Sequence, residues 1–325
     1  MRALVIERLG PAADLVLRDM PVPEPPPGWV RIAVRAAGLN PADWKIVERG
    51  FPGWRLPIVA GLDPAGVVDA CGEGTDFQPG ERVFAHGSFA TLGAYADFAL
   101  APAHVLTRMP EGLDFVAAAA LPTAGLTAYQ VIHRKTHLQP DQTILIHAGA
   151  GGVGGFAIQL ARRIGARVLT TCSARNADFV RALGADAAID YGREDVAARV
   201  RELTNGRGPD VILDTLGPAT AAAAVGLLAF GGRLACCAGL PDLSRLQPLP
   251  RGITLHDISL GGAFTSGDRP AQIELARMGD ELAALVADSR IDPMVQETVP
   301  LEAVPAALTR LAQGHQRGKL VARLD

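Results

Sequence analysis

Glycines cluster between residues 149 and 155, at a spacing that suits the binding of a phosphate group. The run from Ala148 to Gly154 matches G-x-G-x-x-G when it is read from Gly149. Glycine lets the backbone turn tightly and approach an anion because no Cβ stands in the way, and a helix that begins there adds unpaired N–H groups. The alternative is a turn that only joins a strand to a helix. The pattern predicts a pyrophosphate site formed by Ala150, Gly151, Gly152 and Val153.

A second set of polar residues follows the next apolar run, in RVLTTCSARNADF. An NAD site would place Asp or Glu near this point to bind the ribose 2′-hydroxyl. The sequence instead has Ser173 and Arg175, and the first acid is Asp178, which we place inside the next helix. A serine hydroxyl and an arginine fork can both grip a 2′-phosphate. We therefore predict NADPH as the cofactor; if Arg175 is only a solvated residue at a helix start, the choice between NADH and NADPH stays open.

The elements around these residues alternate between strands and helices. An apolar run before the glycines is typical of a strand buried on both faces, and the apolar residues after Gly152 recur at helical spacing. This rhythm predicts a parallel, doubly wound sheet whose strands end near Gly149, Ser173, Asp214 and Gly239. The predicted strand cores are 144–147, 168–171, 187–189, 211–214, 233–236 and 258–260, and the predicted helices include 176–183, 194–204 and 219–228.

The segment before about Pro122 has a different pattern, with short strand-like runs separated by glycine and proline. Such runs predict a small, partly open antiparallel barrel, and Asp114 is a candidate N-cap for the helix that follows. After Phe264 we expect a helix, a strand at Val295 to Val299, a further helix and a final strand beginning at Lys319. We expect this last part of the chain to complete the N-terminal domain.

The composition excludes several classes of function. The chain has 325 residues, 20% of them charged, with a formal net charge of -3, so no basic field favours nucleic acid or a membrane surface. Glu7 and Arg8 lie where a signal peptide would need its apolar core, and the most apolar segment, Ala221 to Phe230, is too short to span a bilayer. The four cysteines form no C-x-x-C pair. We predict a cytoplasmic protein that binds neither nucleic acid nor membranes.

Several motifs together resemble a known family. AGAGGVG with its helix, TTCSARNADFVRALGAD, LPTAGLTAYQ and GEGTDFQPGERVF look like the medium-chain dehydrogenase/reductase superfamily, in particular its zinc-free quinone oxidoreductase branch. The resemblance covers nearly the whole chain. It implies a discontinuous GroES-like β-barrel catalytic domain (1–122 and 265–325), an inserted Rossmann domain (123–264) and an active site in the cleft between them. It also implies a homodimer formed through the sheet edge around Ile258 to Ala263.

The resemblance allows the metal question to be asked of single positions. Zinc alcohol dehydrogenases of the superfamily carry Cys where this chain has Asn40, and a His-Glu pair where it has Leu62 and Asp63. Leucine and an asparagine amide are poor zinc ligands, so we predict that no metal is bound. The histidines are better explained as surface or satisfied core residues than as ligands: His86, His104, His133, His137, His147, His256 and His315.

The resemblance also implies roles for individual residues. Asn40, Asp43 and Lys45 would be the catalytic residues: Asn40 near the nicotinamide or the substrate carbonyl, with Asp43 and Lys45 lining the cleft on the same segment. Lys45 would polarise an oxygen or pass a proton; the alternative, a solvated cation, explains it equally well. The remaining residues implied to lie near the cofactor are Thr127, Tyr191, Gly239, Leu240, Phe264 and Lys319. A turn aromatic, core packing and a surface charge are the alternatives for Tyr191, Phe264 and Lys319.

Without a Lewis acid, alcohol oxidation loses its usual means of stabilising the alkoxide. Hydride transfer to an electrophilic carbon remains, as in a quinone or an α,β-unsaturated carbonyl compound. We therefore predict an NADPH-dependent, zinc-free reductase of such small molecules. Two alternatives stay open: an alcohol or carbonyl dehydrogenase of the same superfamily, and a non-catalytic protein that senses NADPH.

Overall fold

A computed structural model describes residues 1–91, 93–245, 252–314 and 316–324. The chain divides into two compact units, Met1–Leu126 with Leu260–Asp325, and Thr127–Ser259. We call them the barrel unit and the Rossmann unit. The domain limits at 122/123 and 264/265 stay a prediction, whereas the contacts divide the chain at 126/127 and 259/260.

The barrel unit is built from strands of both chain segments. The N-terminal segment contributes β1 (Arg2–Ile6), β2 (Val16–Asp19), β3 (Trp29–Leu39), β4 (Ile58–Val59), β5 (Asp63–Cys71), β6 (Arg82–Phe84), β7 (Phe98–Pro102) and β8 (Thr107–Arg108), and the C-terminal segment contributes β15 (Val295–Pro300) and β16 (Lys319–Arg323).

The long strand β3 organises the larger sheet of this unit. It pairs antiparallel with β5, β7 and β16, and the sheet order is β15-β16-β3-β5-β6-β8. A smaller sheet has the order β2-β1-β4. The pairing of β16 with β3 confirms that the end of the chain returns to the N-terminal segment, because Leu320 lies opposite Leu39. Val30, Ile32 and Val34 alternate into the interior, as expected for a strand with one face in the core.

Helices cover the barrel unit. They are α1 (Pro41–Arg49), α2 (Phe115–Ala119), α8 (Gly262–Thr265), α9 (Arg269–Ala287) and α10 (Val304–Ala312), while α3 (Pro122–Tyr129) crosses from one unit to the other and continues as a π-helix (Gln130–Lys135). Asp114 caps α2 as predicted, since its Oδ1 accepts a bond of 2.8 Å from the Ala117 N–H.

The Rossmann unit contains one parallel six-stranded sheet in the order β11-β10-β9-β12-β13-β14. Its strands are β9 (Thr143–Ile146), β10 (Arg167–Cys172), β11 (Ala187–Asp190), β12 (Val211–Asp214), β13 (Arg233–Cys236) and β14 (Thr254–Asp257), and its further helices are α4 (Gly152–Ile164), α5 (Ala177–Ala182), α6 (Val196–Leu203) and α7 (Pro218–Val225). The order reverses between β9 and β12, the point where doubly wound sheets bind ligands.

The position predicted for the sixth strand is wrong. Residues 258–260 form no strand, and the sixth strand is β14, which pairs with β13 through Thr254 and Arg233. The prediction followed the apolar pair Ile258 and Leu260, which are buried beyond the strand end. An edge strand such as β14 has one exposed side and therefore lacks the apolar run that marked the central strands.

Candidate active site

Asn40 lies where β3 ends and α1 begins, and it is 1% exposed. Its backbone N–H donates to Oδ2 of Asp43 at 2.7 Å, as in a capping box, and Pro41 occupies the first helical position. This local geometry fixes the backbone at Asn40 and leaves its side-chain amide to reach neighbouring strands.

The amide of Asn40 joins three strands through polar contacts. Its Nδ2 donates to Oδ2 of Asp63 at 2.8 Å, and its Oδ1 accepts from Nζ of Lys319, which also donates to the Leu39 carbonyl at 3.0 Å. The pairing register brings these residues together, because Asp63 starts β5 opposite Gly38 and Lys319 starts β16. We call Asn40, Asp63 and Lys319 the amide network. Lys319 is 3% exposed, so the alternative of a surface charge is wrong.

Asp63 has further donors that the sequence analysis missed. The Thr123 N–H donates to Oδ2 at 2.9 Å and its hydroxyl donates to Oδ1 at 2.7 Å. Nδ1 of the buried His86 lies 3.4 Å from the same Oδ1 and 3.2 Å from the Thr123 hydroxyl. The sequence indicates only that Asp63 stands where zinc enzymes carry Glu. His86 and Thr123 are 23 and 60 residues away from it, so no local pattern predicts these contacts.

The network contains charges whose pKa values are displaced in opposite directions. Burial acts to raise the pKa of Asp63, but the bond and charge of His86, the charge of Lys319 and the Thr123 hydroxyl hold that pKa below its ordinary value. Burial lowers the pKa of Lys319, against the charges of Asp63 and Asp43. The carboxyl group of Asp63 is therefore ionised at neutral pH.

Asp43 behaves differently from Asp63. Burial, together with the charge of Asp63, raises the pKa of Asp43 to about 7. No described residue bonds to its Oδ1, which is fully buried. The buried Tyr95 hydroxyl, whose pKa is raised well above its ordinary value by burial and by the charge of Asp43, donates to the Gly38 carbonyl at 3.3 Å. Asp43 can thus hold or release a proton near neutral pH.

The described contacts of Lys45 do not include Asn40, Asp63 or Lys319. Its Nζ stands 5.6 Å from the ring centroid of Trp44, on the half-buried part of α1. Phe264 is half-buried in α8, with its ring 6.3 Å from that of His86. Nearby aromatic packing involves Phe51, whose ring lies 6.1 Å from that of Phe89.

The glycine turn of the Rossmann unit is closely packed. The Ala148 N–H donates to the Thr171 hydroxyl at 3.1 Å, and Ala148 has a φ of 54°. A Cβ on Gly149 would stand 2.0 Å from the Thr170 hydroxyl, whereas a Cβ on Gly151 would meet only the Ala148 carbonyl, at 3.4 Å. Gly151 is the N-cap of α4. Ala150, Gly151, Gly152 and Val153 thus form the last residues of the turn and the first of the helix, where N–H groups have no intrahelical partner.

The carboxyl end of β10 offers a hydroxyl and a guanidinium rather than an acid. Ser173 follows β10 and its hydroxyl accepts from Nδ2 of Asn176 at 3.2 Å; Arg175 is exposed. Asp178 lies inside α5 as predicted, with an ion pair to Arg181 at 3.2 Å. Since the turn and this strand end fit a dinucleotide, the Rossmann unit has the residues to hold one.

The remaining predicted cofactor residues lie on several elements of the Rossmann unit. Thr127 is 9% exposed in α3, and Tyr191, after β11, is 51% exposed. Gly239 and Leu240 follow β13; Gly239 has a φ of 113°, which favours glycine. Tyr191 is too exposed to serve as core packing, which leaves a ligand contact or a turn residue.

The described residues contain no group of three or more His, Cys, Asp or Glu side chains that could hold a metal ion. The amide network brings one carboxylate beside an amide and an amino group, a donor set that does not fit zinc. His315 lies outside the described residues. Within them, no helix is both long and apolar enough to cross a membrane.

Two family models match this chain: a zinc-binding dehydrogenase model over residues 152–281 and an alcohol dehydrogenase GroES-like domain model over residues 26–111. A quinone oxidoreductase of Pseudomonas aeruginosa is 33% identical over 319 residues, which are 94% of each chain. A 2-haloacrylate reductase of a Burkholderia species is 38% identical over 226 residues, 67% of each chain. A mycobacterial protein solved in complex with NADPH is 30% identical, with a TM-score of 0.86 over 100% of each chain.

These similarities define the class of protein. The chain belongs to the medium-chain dehydrogenase/reductase superfamily, in its quinone oxidoreductase-like branch. It has the GroES-like and Rossmann parts of that fold, and it is an oxidoreductase of a family that binds a nicotinamide cofactor.

Proposed function

We propose that this oxidoreductase uses NADPH to reduce quinones or α,β-unsaturated carbonyl compounds without zinc. The amide network is the observation that carries this proposal. By resemblance to the family, Asn40 and Asp63 of this network stand where the zinc enzymes carry Cys and Glu, and the network supplies N–H donors in place of a Lewis acid. Donors of this kind stabilise negative charge on an oxygen atom.

Two donors of the network are free to bind a substrate oxygen. The ammonium of Lys319 carries three protons, and the described residues accept two of them, at Leu39 and Asn40. The amide of Asn40 has two N–H groups, of which Asp63 accepts one. We assign the remaining N–H groups to the carbonyl oxygen of the acceptor, on which negative charge develops during reduction.

The nicotinamide, when bound, supplies the hydride. The turn residues from Ala150 to Val153 would hold the pyrophosphate, and Ser173 with Arg175 would hold the 2′-phosphate. Asp43 can donate the proton that the reduction consumes, since burial raises the pKa of its carboxyl to about 7 and a large fraction of it therefore carries a proton near neutral pH. The burial of Asn40, Asp43 and Lys319 keeps water from competing for these groups.

The test is the oxidation of NADPH by cyclohex-2-enone and by 1,4-benzoquinone, before and after prolonged treatment with a chelator. We expect turnover that chelation leaves unchanged and a higher kcat/KM with NADPH than with NADH. Activity that disappears on chelation would refute the proposal that the reaction needs no zinc. Binding of NADPH without turnover of any quinone, enone, ketone or alcohol would favour the sensor.

Two further parts of the proposal concern the protein in the cell. We expect a homodimer, which light scattering after gel filtration measures directly. We expect a cytoplasmic location, which cell fractionation tests.

A further inference from the structure

His147 stands at the point where the strand order of the Rossmann sheet reverses. It follows β9 directly and precedes the glycine turn, and its N–H donates to the Leu213 carbonyl of β12 at 3.0 Å. Nothing in its sequence context distinguished it from the other histidines. Its place on the sheet does, because ligands of doubly wound sheets bind at this reversal.

The ring of His147 is held from one side by Asp214. Its Nδ1 lies 2.8 Å from Oδ2 of Asp214, and the two side chains are 5% and 0% exposed. Oδ1 of Asp214 accepts the N–H groups of Leu216 and Gly217, at 3.1 and 2.8 Å. Because the carboxylate only accepts, Nδ1 carries the proton, and this assigns the tautomer of the ring.

The other ring nitrogen, Nε2, has no hydrogen-bond partner among the described residues. The His147 side chain as a whole is 5% exposed, and an Nε2 that no described residue occupies is available to a ligand. In the neutral tautomer with a proton on Nδ1, Nε2 is an acceptor. It therefore suits a hydroxyl group and not a phosphate, which at neutral pH offers chiefly acceptors.

The two riboses of a bound dinucleotide lie at the ends of different strands of this sheet. The adenosine ribose belongs at the end of β10, where Ser173 and Arg175 lie. His147 and Asp214 instead end the central pair β9 and β12. We propose that Nε2 of His147 accepts a hydrogen bond from a hydroxyl of the nicotinamide-side ribose of the bound dinucleotide.

This inference rests on the proposed NADPH function, and the test measures binding rather than turnover. His147→Asn places an amide near Nδ1, opposite Asp214, but has no atom at the Nε2 position. His147→Gln reaches the Nε2 position. His256→Asn is the control: it changes a histidine of the edge strand β14 whose Nε2 also lacks a partner among the described residues.

Affinities for three ligands distinguish contacts with the two halves of the cofactor. NADPH is the whole cofactor, and 2′-phospho-ADP-ribose keeps both riboses and the pyrophosphate. Adenosine 2′,5′-bisphosphate ends before the second ribose. We expect His147→Asn to weaken the first two by about tenfold, the loss of one hydrogen bond, and to leave the third unchanged. We expect His147→Gln to restore most of this affinity and His256→Asn to change none of it.

Equal weakening of all three ligands would overturn the inference, since it would mean that the variant disturbs the turn as a whole. Unchanged binding of all three would overturn it as well. A wild-type protein that binds none of these ligands would instead refute the proposed function, and the inference with it. Comparing ligands within one variant keeps the result independent of how much protein is folded.

Discussion

The two units each bury an aspartate beside a histidine, and the surroundings of the two aspartates differ. Asp63 of the barrel unit accepts from side chains on distant segments, Asn40 and Thr123 among them. Asp214 of the Rossmann unit accepts from His147 and from two backbone N–H groups of the turn that follows it. The first arrangement consists of contacts between distant segments, while the second combines one such contact, with His147, and two local bonds to the backbone.

The two carboxylates also differ in the charge near them. Asp63 lies in one network with the buried ammonium of Lys319, whose charge helps to hold the pKa of Asp63 low. No Lys or Arg side chain within the described residues forms an ion pair with Asp214. The barrel unit therefore buries a carboxylate and an ammonium group in one network. In the Rossmann unit, the buried carboxylate instead positions a histidine and the turn that follows β12.

The largest expected effect comes from removing the cation of the barrel unit. Lys319→Met leaves Asp63 buried without its counter-charge, so we expect the free energy of unfolding to fall by about 3 kcal/mol. We also expect kcat for an enone to fall about 100-fold, the usual loss of a donor to a developing oxyanion. Urea denaturation and steady-state kinetics measure the two effects.

The matched control is Lys45→Met on α1, whose ammonium contacts the Trp44 ring and no carboxylate among the described residues. It should change kcat by less than about threefold, because this half-buried ammonium forms no ion pair with any described residue. If the two variants lose activity equally, the amide network has no special part in the reaction.

A substitution at the end of β10 tests whether the Rossmann unit selects NADPH over NADH there. Arg175→Ala should reduce the preference for NADPH over NADH in kcat/KM by about 10- to 100-fold, the worth of a charge-assisted bond to phosphate. Arg181→Ala, which removes an exposed ion pair with Asp178, should leave the preference unchanged. An Arg175→Ala enzyme with its preference intact would show that other residues select the cofactor.

The glycine turn permits a sharper separation of folding from binding. Gly149→Ala forces a Cβ against the Thr170 hydroxyl, so we expect both a loss of about 1–3 kcal/mol in stability and weaker NADPH binding. A Cβ at Gly151 would meet only the Ala148 carbonyl, at 3.4 Å, an ordinary contact, so we expect Gly151→Ala to keep its stability while its NADPH binding weakens about tenfold. Equal affinities of Gly151→Ala and wild type would place the pyrophosphate elsewhere.

The same contrast explains what could be read from the sequence. The strands β9 to β13 and the turn at Gly149 are marked by neighbouring residues, because apolar runs and glycine spacing are local signals. The edge strand β14 carries no such signal and was misplaced. In the barrel unit, Asn40 was found only by resemblance to a family.

The partners of Asp63 could not be predicted at all. His86 and Thr123 are separated from it by 23 and 60 residues, and their contacts follow from the strand pairing and from the position of α3. A histidine or threonine in such a sequence is indistinguishable from many others. Residue type indicates what a site could contain, whereas the register of β3, β5 and β16 decides which residues meet.

The smallest effect we predict concerns Asp43 and depends on pH. Its pKa is about 7 in the folded protein against an ordinary value of 3.8. Between these values the folded state binds more protons than the unfolded state, so this group makes wild-type stability fall as pH rises from about 4 to about 7. Asp43→Asn cannot ionise, and its amide oxygen can still accept from the Asn40 N–H.

Asp43→Asn should therefore gain stability relative to wild type as pH rises from 5 to 8, by on the order of 1 kcal/mol or more. Asp178→Asn, at an exposed site, should show no such trend. Thermal denaturation of the three proteins across this range measures the difference. A constant difference between Asp43→Asn and wild type would mean that Asp43 is ionised throughout, and the barrel unit would then hold two buried anions instead of one anion and one proton donor.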